Sequence, residues 1–301
     1  MFRPWWRAFA VRGVLWRRYL DFGLTNVPFY LRPVMIFFWT IFFFFLAAPA
    51  RRAILSNLRV VLPGSNPLLN LGRAWLTLYN FAWTISDAAD HKLAHTEFAY
   101  EVEGAEHLER LAAAHGAVLL TAHMGNYDLG AALFAERFQR DIRMVRAPEA
   151  DAQTAQHLDR SLERAGAGAV KIAYNTSSMA LPLELLNAIR QGEIVSIQGD
   201  RAVGHISQRA ARLFGEEVKL PDGPFMLAFV AQAPIYPLFV VRTSFHHYKI
   251  IARPPIHCLR HDRDRESVIE EAMRVWCETL EDIIALNWSQ WFSLVPIFPE
   301  R

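Results

Sequence analysis

The stretch Leu119 to Gly130, LLTAHMGNYDLG, places a histidine and an aspartate five positions apart, His123 and Asp128. Histidine is the side chain best suited to take a proton near neutral pH. It works best when a carboxylate orients its other ring nitrogen. Such a pair activates a hydroxyl or a water for attack on an acyl centre. Within one continuous helix an offset of five would turn the two side chains about 140° apart. His123 is therefore expected in a turn, with Asp128 in the first turn of the next helix, reaching back to it. Gly125 allows the tight bend between them. The helix begins near Asn126, and its free N–H groups suit an oxyanion. Spacing alone leaves two other readings open: Asp128 favouring a helix start, and His123 as a satisfied core residue.

Other residues are candidates for the same pocket. Arg146 follows a short apolar run and fits oxyanion stabilisation or the grip on an acceptor phosphate. A salt bridge with Glu149 or Asp151 is its alternative. Asp200 and Arg201 end a second buried run, so they line the pocket or serve turn chemistry. Pro221 to Pro224 is a turn by composition. Arg201, Arg209, Arg212 and Lys219 read as a basic loop that could meet an acidic carrier or headgroup phosphates. No metal site is expected: His246 and His247 read as a hairpin turn, and Cys258 and Cys277 as buried, reduced thiols.

The elements that must position these groups alternate between two periods. Ala117 to Thr121 (AVLLT) and Ile194 to Gln198 (IVSIQ) are short apolar runs fit for buried strands. Ile142 to Val145, Phe98 to Val102, Ile235 to Arg242 and Tyr248 to Ala252 are further strands. Helices are expected over Leu108 to His115, Tyr127 to Phe138, Ala152 to Ala165, Ser178 to Arg190, Phe225 to Ala231 and Arg265 to Leu286. This alternation predicts an α/β fold, a mixed central sheet flanked by helices.

Before residue 96 the chain is helical and apolar. Ala50 to Leu62 and Leu68 to Ala89 carry helical spacing. Val34 to Ala48, VMIFFWTIFFFFLAA, is a 15-residue apolar run between Pro33 and Pro49. A span of the hydrocarbon core takes about 20 residues. The run is thus a short or tilted span, an interfacial helix, or a buried core helix. Arg3, Arg7, Arg12, Arg17 and Arg18 alternate with Trp5, Trp6 and Trp16, a mixture that suits an anionic membrane face. The net charge of +2 names no partner, and no nucleic-acid partner is expected. The chain divides into an N-terminal apolar membrane-associated helical region, 1–95, and an α/β catalytic domain, 96–301, together one structural unit.

HMGNYD resembles the H-x4-D/E motif of the glycerolipid acyltransferase superfamily, and its Gly and Asn resemble the bacterial lipid A biosynthesis (lauroyl and myristoyl) acyltransferase branch. Further segments resemble that branch in order: Met144 to Pro148, Gln198-Gly199-Asp200-Arg201, Phe214-Gly215 with Pro221 to Pro224, Ala233 to Pro237 with Arg242, and Gln290-Trp291-Phe292. The resemblance covers roughly residues 50 to 298. Asp128 stands where Glu is more usual, and Tyr127 where Trp is. The resemblance implies transfer of a fatty acyl group from an acyl thioester to a lipid hydroxyl, with His123 as general base and Asp128 as its partner. It implies substrate contacts at Gly125, Asn126, Arg146, Asp200, Arg201 and Gly223, the last by close backbone approach. No cofactor is implied beyond the co-substrate, acyl carrier protein thioester or acyl-coenzyme A. The expected partners are acyl carrier protein, the membrane and a lipid acceptor, either a lipid A precursor or another polar lipid (a glycolipid, an ornithine lipid, a polyene pigment lipid). The expected place is the inner membrane, facing the cytoplasm. A thioester or lipid hydrolase and a non-catalytic lipid-binding scaffold are the competing classes.

Overall fold

Ala117–Thr121 is buried along its whole length, as a strand covered on both faces of a parallel sheet must be. In the computed structural model, which describes residues 23, 26–94, 96–147, 170–175, 180–202, 206–259 and 264–299, it is the central strand of seven. The strands are β1 (Ala99–Glu103), β2 (Ala117–Thr121), β3 (Ile142–Arg146), β4 (Val170–Tyr174), β5 (Ile194–Gln198), β8 (Ile235–Ser244) and β9 (His247–Ala252). Their order is β1-β9-β8-β2-β5-β3-β4. Every neighbouring pair is parallel except the β8–β9 hairpin. The mixed α/β sheet flanked by helices is thus observed.

Alternation along β2 feeds two cores. Val118 and Leu120 point into one, with Phe239, Trp276, Leu280 and Ile283. Ala117 and Leu119 point into the other, with Leu129, Phe134, Leu238 and Tyr248. The flanking helices are α4 (Ala105–Ala113), α5 (Tyr127–Phe138), α6 (Ala180–Arg190), α7 (Gly223–Ala231) and α8 (Arg265–Asn287). Cys258 and Cys277 are free and buried, and burial pushes their thiols up to about 11 and about 12.

Two features differ from the sequence reading. The basic stretch read as a loop is a hairpin, β6 (Gln208–Leu213) against β7 (Glu216–Pro221). Its turn residues Phe214 and Gly215 both have positive φ, 51° and 76°, as a type I′ turn requires. A Phe in the first of those places hides the signal that Asn-Gly would give. β4 is also new: it lies at the sheet edge with only one of its five residues buried, so it lacks an apolar run. The helix expected over 152–165 lies outside the described residues, as do Glu149 and Asp151 and the Arg and Trp residues before 23.

The N-terminal helices are α1 (Arg32–Leu46), α2 (Ala48–Val61) and α3 (Pro67–Ala94). Among the described residues no single helix is long and apolar enough to cross a membrane; α1 and α2 pass the test only together and are bent by 90° at their junction. α2 buries Ala53, Ile54, Asn57, Leu58 and Val61. Its Asn57 side chain donates to the carbonyls of Ser293 (3.3 Å) and Val295 (2.9 Å) and accepts from Ile297 N–H (3.0 Å). That clamp fixes α2 to the C-terminal segment.

Candidate active site

The strand register assembles the site. β2 and β5 pair in parallel up to Thr121↔Gln198. Two residues beyond that pair stand His123 and Asp200. β3 pairs with β5 at Met144↔Ser196, so Arg146 comes level with Gln198. All three side chains therefore leave the carboxyl edge of the sheet, where ligands bind in such folds.

His123 Nδ1 lies 2.7 Å from Asp200 Oδ1, and the His123 backbone N–H donates to the same oxygen at 3.0 Å. The sequence reading assigned this histidine Asp128 as its partner; the structure places Asp200 at its Nδ1. The proton sits on Nδ1, because an ionised carboxylate can only accept. The lone pair is then on Nε2, and the ring keeps 15% of its surface open. Asp200 is fully buried. Burial pushes its carboxyl up, but His123, Arg201 and the Trp291 indole N–H outweigh this and hold it at about 2.

Asp128 lies in the first turn of α5 and receives a charge-assisted hydrogen bond from Arg146 Nη2. Burial works against the Arg146 charge, and the Asp128 carboxylate more than compensates, so the guanidinium is held above its ordinary value. Arg146 Nε is buried without a partner. Asp128 thereby reaches sideways to the end of β3. Tyr127, between them in the chain, has its ring centroid 6.4 Å from that of His123. Burial and Asp128 push its phenol up.

The turn between β2 and α5 is fixed on three sides. Gly125 has φ +53°, and a Cβ there would sit 1.7 Å from the Val240 carbonyl oxygen, so only glycine fits. Asn126 caps α5 by accepting from Leu129 N–H at 3.2 Å, and its own N–H donates to Val240 O at 2.9 Å. The C-terminal segment closes the third side. Gly125 N–H donates to Gln290 O (2.9 Å), Phe292 N–H donates to His123 O (2.7 Å), and Trp291 Nε1 donates to Asp200 Oδ2 (3.0 Å). Gln290 also bridges to β8, accepting from Arg242 N–H (2.7 Å) and donating to Arg242 O (2.8 Å). The N–H groups of Gly125, Asn126 and Leu129 are thus committed to the turn itself.

α3 backs this arrangement. Asn80 donates to Ser289, the Phe81 ring meets Phe292, and the Thr84 carbonyl accepts from Asn126 Nδ2. Asn126 Nδ2 also reaches Tyr248 Oη, whose hydroxyl donates to Asp87. Arg242 lies 3.4 Å from Asp87 and 4.3 Å over the Trp83 ring. Burial pushes the Asp87 carboxyl up.

Of the expected site residues, His123 and Asp200 are hydrogen-bonded to each other, Gly125 and Asn126 shape the turn after His123, and Arg201 donates to Phe292 O at 3.2 Å. Asp128 and Arg146 form a neighbouring pair. Gly223 opens α7, is exposed, and a Cβ there would meet nothing within 4 Å. Sequence reasoning did not assign Trp291 or Asp87. Trp291 entered only within Gln290-Trp291-Phe292, and its distance in the chain from Asp200 gave no sign of the contact.

The arrangement supplies an imidazole oriented by a buried carboxylate, with an Arg146–Asp128 pair on the neighbouring strand end, suited to acyl transfer. The family model for bacterial lipid A biosynthesis acyltransferases matches residues 50–299. No curated protein matches the chain.

Proposed function

Because the chain belongs to the bacterial lipid A biosynthesis acyltransferase family, we propose that this enzyme moves a fatty acyl group from an acyl carrier protein thioester to a hydroxyl of a lipid A precursor. Acyl transfer to a lipid follows from the family; the donor and the acceptor are our reading. One observation carries the chemistry: His123 Nδ1 is held by a buried, ionised Asp200. Nε2 takes the proton of the acceptor hydroxyl as its oxygen bonds to the thioester carbonyl carbon. The tetrahedral intermediate collapses, the C–S bond breaks, and the thiolate leaves with the proton returned from His123. Arg146 is assigned the oxyanion or an acceptor phosphate, with Asp128 holding its guanidinium. Gly125 and Asn126 shape the turn, Arg201 supports Asp200, and Gly223 is kept as a backbone contact to substrate. No cofactor enters.

The carrier reading rests on Arg212 and Lys219, exposed on the β6–β7 hairpin, where an acidic carrier protein would meet them. The membrane reading rests on α1. Val34, Phe38, Phe42 and Phe45 are exposed along one stripe, while Ile36 and Thr40 face inward. Fifteen residues span about 22 Å, short of the roughly 30 Å of hydrocarbon. With α2 clamped to the body, α1 lies in the lipid interface instead of crossing it. Membrane attachment on the cytoplasmic side of the inner membrane would bring lipid and carrier together at one surface.

The test offers labelled acyl chains on acyl carrier protein and on coenzyme A, with a total polar lipid extract, to wild type and His123→Ala. Label in one lipid band with wild type alone supports the transferase and isolates its acceptor. Label in a glycolipid, ornithine lipid or pigment lipid moves the acceptor. Label in free fatty acid alone makes the protein a hydrolase and sinks the proposal.

A further inference from the structure

We propose that Trp291 is a positioning residue of the reaction, its indole N–H fixing the Asp200 carboxylate so that Oδ1 faces His123. The inference rests on the acyl-transfer reading above and adds a residue to it. Asp200 has two oxygens with separate work. Oδ1 accepts both His123 donors, the backbone N–H at 3.0 Å and Nδ1 at 2.7 Å. Oδ2 is left for Trp291, at 3.0 Å. A carboxylate turns easily about its last bond, and that rotation would point either oxygen away from the ring. The indole stops it, because turning would strip a buried oxygen of its donor.

The indole is itself held. Trp291 is 5% exposed and packs in the core beside Phe298. Its backbone pairs with Met124 as an isolated antiparallel bridge, next to the Phe292 N–H bond to His123 O. One short segment therefore grips the main chain of His123 and the side chain of its partner. The indole N–H also competes with His123 for the carboxylate's charge. The titratable and charged groups facing this pair are Arg201, adjacent to Asp200, and Tyr127 beside the His123 ring, with the Asp128–Arg146 pair next to Tyr127. None of these is the group changed when the indole N–H is removed. Removing it leaves a less stabilised carboxylate that pulls harder on the Nδ1 proton, which makes protonated His123 easier to form.

The experiment compares wild type, Trp291→Phe and His123→Ala in pH profiles of kcat/KM with acyl carrier protein thioester and lipid. A protein carrying 3-benzothienylalanine at position 291, an indole isostere without the N–H, covers failure of Trp291→Phe to fold. The expected result is a loss of kcat of about 10-fold or more, the scale of one hydrogen bond to a charged group. The acid limb should also move to higher pH by about half a unit. A role in packing alone would leave that limb in place, and the isostere would then match wild type. That outcome overturns the inference while leaving acyl transfer intact, provided His123→Ala is inactive. A His123→Ala protein as active as wild type would instead overturn the reading beneath it.

Discussion

At the scale of single residues, the site turns on which carboxylate serves His123. Asp200 is in contact with its Nδ1, and it is buried and ionised. Its carboxyl titrates at about 2 in the folded chain against an ordinary value of 3.8. A depressed carboxyl contributes stability above its unfolded pKa and loses it as pH falls through the folded one. The contribution is about 2 kcal/mol. Urea titrations of wild type and Asp200→Asn should therefore differ by about that amount near neutrality and converge between about pH 4 and pH 2. Curves that stay parallel down to pH 2 would contradict a depressed, hydrogen-bonded Asp200 carboxylate. Gly125→Ala is the harsher test of geometry. The Val240 carbonyl fills the place of its Cβ, so the turn must deform, at an expected cost on the order of 3–5 kcal/mol in thermal unfolding. The turn, Gly125 and a helix start near Asn126 were legible in HMGNYD. The pairing was not: local spacing joins His123 to Asp128, whereas strand register joins it to a residue on the neighbouring strand.

At the scale of elements, β2 and β5 do the positioning, and α3 with the C-terminal segment holds the turn after β2 in place. The buried runs AVLLT and IVSIQ announce those strands, since each is a short apolar block. What they do not announce is their adjacency, which places the residues after both strands together. The β6–β7 hairpin was hidden for another reason: charged Arg209, Arg212, Glu216, Glu217 and Lys219 are interspersed with its few buried apolar residues, so composition reads as loop. α1 makes a prediction of its own. Phe38 and Phe45 are exposed at 64% and 71% and touch nothing in the site. Burying a Phe side chain is worth about 1.5–3 kcal/mol. Phe38→Asp with Phe45→Asp should lower cosedimentation with anionic phospholipid vesicles by about 100-fold or more, with the thermal midpoint unchanged. Binding that survives both substitutions would place the membrane surface elsewhere.

At the scale of the whole molecule, the N-terminal helices and the sheet meet around one buried polar network. Asp87 and Arg242 lie at its centre, with Tyr248 and Asn126 leading to the His123 turn. One helix layer therefore separates the apolar face of α1 from the candidate catalytic turn, since α1 packs on α3 and α3 on that turn. The central claim is that His123 works through Asp200 while Asp128 works through Arg146. The most direct measurement is steady-state acyl transfer by Asp200→Asn and Asp128→Asn, with His123→Ala as the floor. Asp200→Asn should lose about 10³–10⁴-fold in kcat, the scale of a misoriented histidine base. Asp128→Asn should lose less in kcat and show its main effect in KM. Asp128→Asn falling to the His123→Ala floor while Asp200→Asn stays near wild type would contradict the account.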